Sequence, residues 1–135
     1  WIQYRFNYYK FSGGRILITD DMRTEIVSYI KSTLAKTAEI GMGGNSTSPR
    51  ATALDVPSGA TVTIASEKSD LNVLEIKVTC AGSNIAGKVI RELGIFKNST
   101  SPTTDNDMVA RVNFDGIGPF TASETLELFL TIEVN

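Results

Sequence analysis

The sequence predicts a mainly β protein, an antiparallel β-sandwich with one N-terminal amphipathic helix packed on it. Several segments alternate apolar and polar residues with a period of two, which is typical of strands that place one face on a core. Helical spacers between these strands are missing, so a parallel sheet is not expected. The 135 residues fit one domain. We place that domain at 15–135, after an aromatic N-terminal arm or strand at 1–14.

Aromatic residues crowd the first eleven positions and stop at the turn signal Ser12-Gly13-Gly14. Strand-like composition predicts that this segment is a strand over the core. The alternative is an arm that packs on a neighbouring subunit, which makes its aromatics candidate docking residues. These are Trp1, Tyr4, Phe6, Tyr8, Tyr9 and Phe11. A chain that begins with Trp also indicates that further residues precede it.

One helix is predicted at about 20–36. Thr19, Asp20 and Asp21 provide capping oxygens and negative charge for the free N–H groups of its first turn. Apolar residues then recur every four positions, and this face should cover one side of a sheet. The stripe consists of Met22, Ile26, Ile30 and Leu34, with Val27 and Tyr29 beside it.

The remaining chain alternates short strands with polar loops. The predicted strands are 38–42, 61–65, 71–80, 88–96, 108–114 and 125–134. Cys80 falls on an apolar strand face and is interpreted as a small buried hydrophobe. The loops 43–58 and 97–107 are expected to face outward.

An adjacent charged pair, Arg91 and Glu92, interrupts an otherwise apolar strand. Neighbouring strand residues point to opposite faces, so one of the two should point inward. A buried carboxylate needs hydrogen bonds or a cation. We therefore expect Glu92 to hold N–H groups of a nearby loop, and Gly94 to mark a close approach to the strand.

Several functions are excluded or disfavoured by composition. The chain has no histidine and one cysteine, so it lacks His-based nucleophilic triads, Cys/His zinc clusters and an internal disulfide. A net charge of −2 gives no basic stripe for nucleic acid, and no apolar run is long enough to span a membrane.

The glycine stretch 41–44 lacks the Gly-Lys-Ser/Thr of a phosphate loop and is interpreted as a turn. The acidic residues near 105–107 and 115 fit no EF-hand spacing. No catalytic residue, metal site or cofactor is predicted.

The order of motifs resembles a domain of tailed-virus structural proteins, found in tail-fibre and tail-collar-type proteins. In that family a stretch "iGtGtt.p" with a following "taL" precedes "EiGLf" and "l.aR..f". The corresponding residues here are 40–49, Ala53-Leu54, 90–96 and 108–114. Glu92, Gly94, Phe96 and Arg111 are the most specific part of the resemblance, which covers about residues 20–135.

The resemblance implies a non-enzymatic virion protein, made in the host cytoplasm and located on the tail or the capsid exterior. It implies other virion proteins as partners and a symmetric homo-oligomer, often a trimer. The first hypothesis is a tail- or fibre-associated assembly subunit, and the alternative is a capsid decoration protein on the outside of the head. A carbohydrate-binding module is a weaker alternative. Such a module needs exposed aromatics on its loops, whereas the clustered aromatics of this chain are at its N-terminus. Binding of a host-surface glycan by the loops stays open.

Overall fold

A computed structural model gives the architecture. It describes residues 17–45, 47–48, 51–98 and 107–135 with their side chains, and the backbone of 2–6, 10–11 and 14–15. The strands are β1 (Ile2–Phe6), β2 (Lys10–Phe11), β3 (Gly14–Arg15), β4 (Thr37–Gly41), β5 (Thr63–Asp70), β6 (Val73–Ala81), β7 (Ile90–Phe96), β8 (Met108–Ile117) and β9 (Thr125–Val134). The helix α1 (Asp20–Tyr29) continues into a π-helical turn, Ile30–Leu34.

Six strands form two antiparallel sheets, as the alternation predicted. One sheet has the order β9-β6-β5 and the other β4-β7-β8. Their facing sides share one core, to which β6 contributes Leu74, Ile76, Val78 and Cys80. The β-sandwich with one helix is therefore confirmed, and so is the burial of Cys80, which is 2% exposed.

The N-terminal segment adds a fourth strand to one sheet, and this strand pairs in parallel. β1 runs parallel to β9 and extends that sheet to the order β1-β9-β6-β5, with Ile2 opposite Leu130 and Phe6 opposite Val134. The short hairpin β2-β3 follows. Trp1, Tyr8 and Tyr9 lie outside the described residues, as do the side chains of Tyr4, Phe6 and Phe11. Their predicted role in docking therefore stays a prediction.

The helix begins as predicted, with the Thr19 hydroxyl accepting a hydrogen bond from the Met22 N–H at 3.4 Å. Its buried face is centred differently. Val27 and Ile30 are buried, whereas Met22 and Tyr29 are 51% and 56% exposed. At 3.6 residues per turn, Met22 and Tyr29 fall together on one flank, about 120° around the helix from the midpoint between Val27 and Ile30. Their assignment to the core-facing stripe was wrong because the four-residue spacing drifts around the helix.

The segment between β4 and β5 does not simply face outward as expected. Leu54 is 6% exposed and the backbone around it is bound to the outer side of β7, although Val56 remains exposed. The other loop predicted to face outward falls mostly on residues 99–106, outside the described residues. No described helix is long and apolar enough to cross a membrane.

Candidate functional site: a buried carboxylate that holds a loop

The outer face of the three-stranded sheet carries alternate residues of β7. Leu93 and Ile95 point into the sandwich core, so Glu92, Gly94 and Phe96 point to the other side. Gly94 pairs with Arg111 of β8, which brings that side chain onto the same face. The four residues that most specifically carry the family resemblance therefore share one sheet face.

Glu92 is fully buried there and its carboxylate accepts four backbone hydrogen bonds. Oε1 accepts from the N–H groups of Gly43 at 3.3 Å and Val56 at 2.8 Å. Oε2 accepts from Gly44 at 2.9 Å and Asp55 at 3.2 Å. Sequence reasoning expected Glu92 to hold N–H groups of a nearby loop, and the structure shows such donors from the start and the middle of the β4–β5 loop.

Arg111 supplies the countercharge. Its Nη2 lies 2.6 Å from Glu92 Oε2 and 2.8 Å from Asp55 Oδ2. Nη1 donates to the Ala53 carbonyl at 3.2 Å, and Nε donates to Asn113 Oδ1 at 2.9 Å. The guanidinium fork thus binds two carboxylates and the loop backbone at once, which the point charge of a lysine does not reproduce. We call Glu92, Arg111, Asp55 and their bound N–H groups the Glu92 network.

Asp55 completes the network with a second loop contact. Its Oδ2 accepts from the N–H of Asn45 at 2.8 Å as well as from Arg111. Two carboxylates and one guanidinium leave one negative charge, and five backbone N–H groups point at these oxygens. Because a buried carboxylate is stable only when its lone pairs are satisfied, this donor set explains how an acidic residue occupies the middle of a buried strand.

The glycines are required by the closeness of the loop to this carboxylate. A Cβ on Gly41 would collide with Glu92 Oε1, and one on Gly43 would lie 2.6 Å from Asp55 Cβ. Gly44 has a φ of +76°, in the region that favours glycine. The stretch was interpreted as a turn, and it instead wraps a carboxylate of the same chain as a phosphate loop wraps a phosphate.

Leu54 packs beside the network over Gly94. A Cβ on Gly94 would lie 2.8 Å from the Phe96 ring and 3.1 Å from both Leu54 Cδ2 and Met108 Sδ. The missing side chain at Gly94 therefore leaves the space that Leu54, Phe96 and Met108 fill. The close approach predicted at Gly94 comes from these three side chains.

The hydrogen bonds of the Glu92 network hold the β4–β5 loop on the outer face of the three-stranded sheet. Glu92 and Arg111 bind each other, Asp55, Asn113 and the loop backbone, and no cluster of three or more His, Cys, Asp or Glu residues in the described part of the chain could hold a metal ion. Sequence reasoning missed Asp55 and Asn113 as partners of Arg111. Asp55 directly follows the motif residues Ala53-Leu54, and this position could have indicated its role. No local pattern in the sequence marks Asn113.

The thiol of Cys80 lies on the core side of β6 and is 2% exposed. Burial raises its pKa, which disfavours the thiolate that a nucleophile needs. This agrees with its interpretation as a buried hydrophobe.

In comparisons with known proteins, no family model matches the chain and no curated protein matches its sequence.

Proposed function

We propose that this chain is a non-enzymatic structural protein of a tailed-virus particle, a tail- or fibre-associated assembly subunit that acts through its contacts. One observation carries the proposal. The motif residues that resemble the viral family lie far apart in the sequence, from Gly41 to Arg111, yet they meet in the Glu92 network. Motif residues are expected to meet in space in this way when a particular fold depends on the contacts between them.

The chemistry of the same residues supports a structural role over catalysis. A catalytic carboxylate has to reach a substrate, whereas Glu92 is fully buried and its oxygens are bound by the loop and by Arg111. What the network does is fix the β4–β5 loop on the sheet. A fixed loop of defined shape suits a subunit that has to present the same surface in every copy of an assembly.

The test is to find the chain in particles. Particles would be purified from an induced culture of cells that carry the gene, analysed by mass spectrometry, and labelled with gold-conjugated antibody against the chain. We expect stoichiometric incorporation with labelling at the tail. Labelling over the head would favour the decoration protein instead, and absence of the chain from the particles would overturn the proposal.

The oligomeric state gives a second measurement. Light scattering on the purified chain should give a trimer, as the resemblance implies. A strict monomer at all concentrations would count against a fibre subunit that trimerises by itself.

A further inference from the structure

An apolar pocket opens between the helix and the two sheets. Its volume is about 300 Å³, and all of its lining residues belong to the described part of the chain. Ile95 of β7 and Ile132 of β9 form its floor and are only 2% and 5% exposed. The pocket therefore reaches between the sheets to side chains of the core.

One wall of the pocket is the π-helical turn Ile30–Leu34. The N–H of Ala35 donates to the carbonyl of Ile30 at 2.7 Å, five residues back, whereas an α-helical turn binds the carbonyl four residues back. Ile30, Leu34 and Ala35 all line the pocket. Turns of this kind are rare and are frequently found at functional sites. The widened turn is an observation independent of the cavity, and it lies at the same place.

Small side chains keep the pocket open. Ala110 of β8 is the register partner of Ile95, and it lines the pocket together with Ala35. A larger apolar residue at position 110 would extend over Ile95 and fill part of the space. Because a core gains contacts wherever a void is filled, folding alone does not favour alanine at this position.

The lining suits a neutral, apolar molecule. None of the described residues that line the pocket carries a charge, and the only polar side chain among them is that of Tyr29, which is 56% exposed. Water in such a space lacks the two to four hydrogen-bond partners, or about that number, that hold a buried water, so an apolar molecule displaces it favourably. An apolar cavity of about 150 Å³ accommodates benzene, and this pocket has room for about two fused rings.

We propose that this pocket, defined by Tyr29, Ile30, Ile95, Ala110 and Ile132, binds a small neutral molecule whose apolar body has the size of about two fused rings. The body enters between the sheets, and Tyr29 lies at the exposed mouth. The inference goes beyond the proposed function and does not rest on it, because a small-molecule site is compatible with any role in an assembly.

The binding test uses quinoline as the probe, titrated at neutral pH into the isotope-labelled full chain and followed by NMR. We expect saturable binding with a dissociation constant below about 1 mM, and chemical-shift changes centred on Ala110 and Ile132. Ala110→Leu fills the pocket and should weaken binding at least tenfold. The control, Ala122→Leu, adds the same atoms at an exposed turn and should change binding less than about twofold. Absence of saturable binding, or native affinity in the Ala110→Leu variant, would overturn the proposal.

A charged probe tests the chemical class of the ligand. N-methylquinolinium has the shape of a methylquinoline, with a fixed positive charge in the ring. We expect methylquinoline to bind as quinoline does and the charged ion to bind at least tenfold more weakly, because an uncharged lining does not replace the water around the ion. Equal affinities for the two would contradict a site for neutral molecules and overturn the proposal.

The same variant separates a small molecule from a protein occupant. If an apolar side chain of a second copy filled the pocket, the chain would form oligomers that Ala110→Leu breaks. We expect instead the same mass for the native chain and the variant in light scattering. Loss of an oligomer in the variant would assign the pocket to a subunit contact and overturn the proposal.

A milder variant keeps the test valid if leucine at position 110 disturbs the fold. Ala110→Val fills less of the pocket with a residue that strands readily accept, and it should weaken quinoline binding about threefold or more. Native affinity in the folded Ala110→Val variant would also overturn the proposal.

Discussion

Replacing Glu92 with alanine is the strongest perturbation that the structure offers. The change removes the acceptor of four backbone N–H groups and of the Arg111 guanidinium, all inside a site where Glu92 itself is fully buried. Arg111 keeps Asp55 as an ion-pair partner, so its charge is not left alone. The loop N–H groups have no comparable substitute in the network.

The expected cost follows from these partners. Removing one member of a buried ion pair costs about 3–5 kcal/mol, and each buried donor left unsatisfied adds about 1–3 kcal/mol before the structure relaxes. Asp55 offsets part of the first cost, and the exposed parts of the loop regain water and offset part of the second. We expect Glu92→Ala to lower the free energy of unfolding by about 4 kcal/mol, a large part of the 5–15 kcal/mol that is usual for a domain.

Urea denaturation followed by circular dichroism measures this loss. With a slope of about 1.5–2.5 kcal/mol per M, the midpoint should fall by about 1.5–2.7 M, and the melting temperature by roughly 10–15 °C. Glu25→Ala, at an exposed helical position, serves as the control and should stay within about 0.5 kcal/mol of the native chain. A loss below about 1 kcal/mol for Glu92→Ala would refute the reasoning.

A second variant protects the test against complete unfolding. Glu92→Gln keeps the size and one oxygen, but it turns an NH2 group toward N–H donors and removes the charge that faces Arg111. We expect an intermediate loss of about 2–3 kcal/mol. A glutamine variant as stable as the native chain would show that the charge of Glu92 is not needed.

Three further predictions concern the surroundings of Glu92 and the thiol. Gly94→Ala should cost about 1–3 kcal/mol in urea denaturation, because its Cβ would lie 2.8 Å from the Phe96 ring; no loss would mean that the neighbours move aside easily. Arg111→Lys should destabilise by about 1–3 kcal/mol despite the retained charge, since one ammonium cannot reach all four partners; a native midpoint would contradict the role of the fork. Cys80 should react slowly with a disulfide reagent at pH 8 until the chain unfolds, because burial raises its pKa and lowers the thiolate fraction; rapid labelling of the folded chain would contradict its burial.

The strands could be predicted because their signal is local. Alternation over β6 and β9 requires only that one face be apolar, and both strands appear within about two residues of their predicted bounds. The helix start was equally local, since the Thr19 cap lies next to the residues it serves. The buried side of the helix depends on what packs against it, which explains why Met22 and Tyr29 were placed wrongly.

The candidate site shows where local reasoning stops. The position of Glu92 within an apolar strand was enough to predict that a loop would bind it, because a buried charge without donors is too costly. The choice of Arg111 as its cation depends on the register of β7 against β8, and that register includes irregularities next to Glu92 and at Phe96 that no periodicity reveals. A different register would move Arg111 along the sheet or to its other face. The contact between Glu92 and Arg111 therefore depends on the strand register as well as on charge. A double-mutant cycle between the two residues should give a coupling energy well above the roughly 0–1 kcal/mol of a surface ion pair.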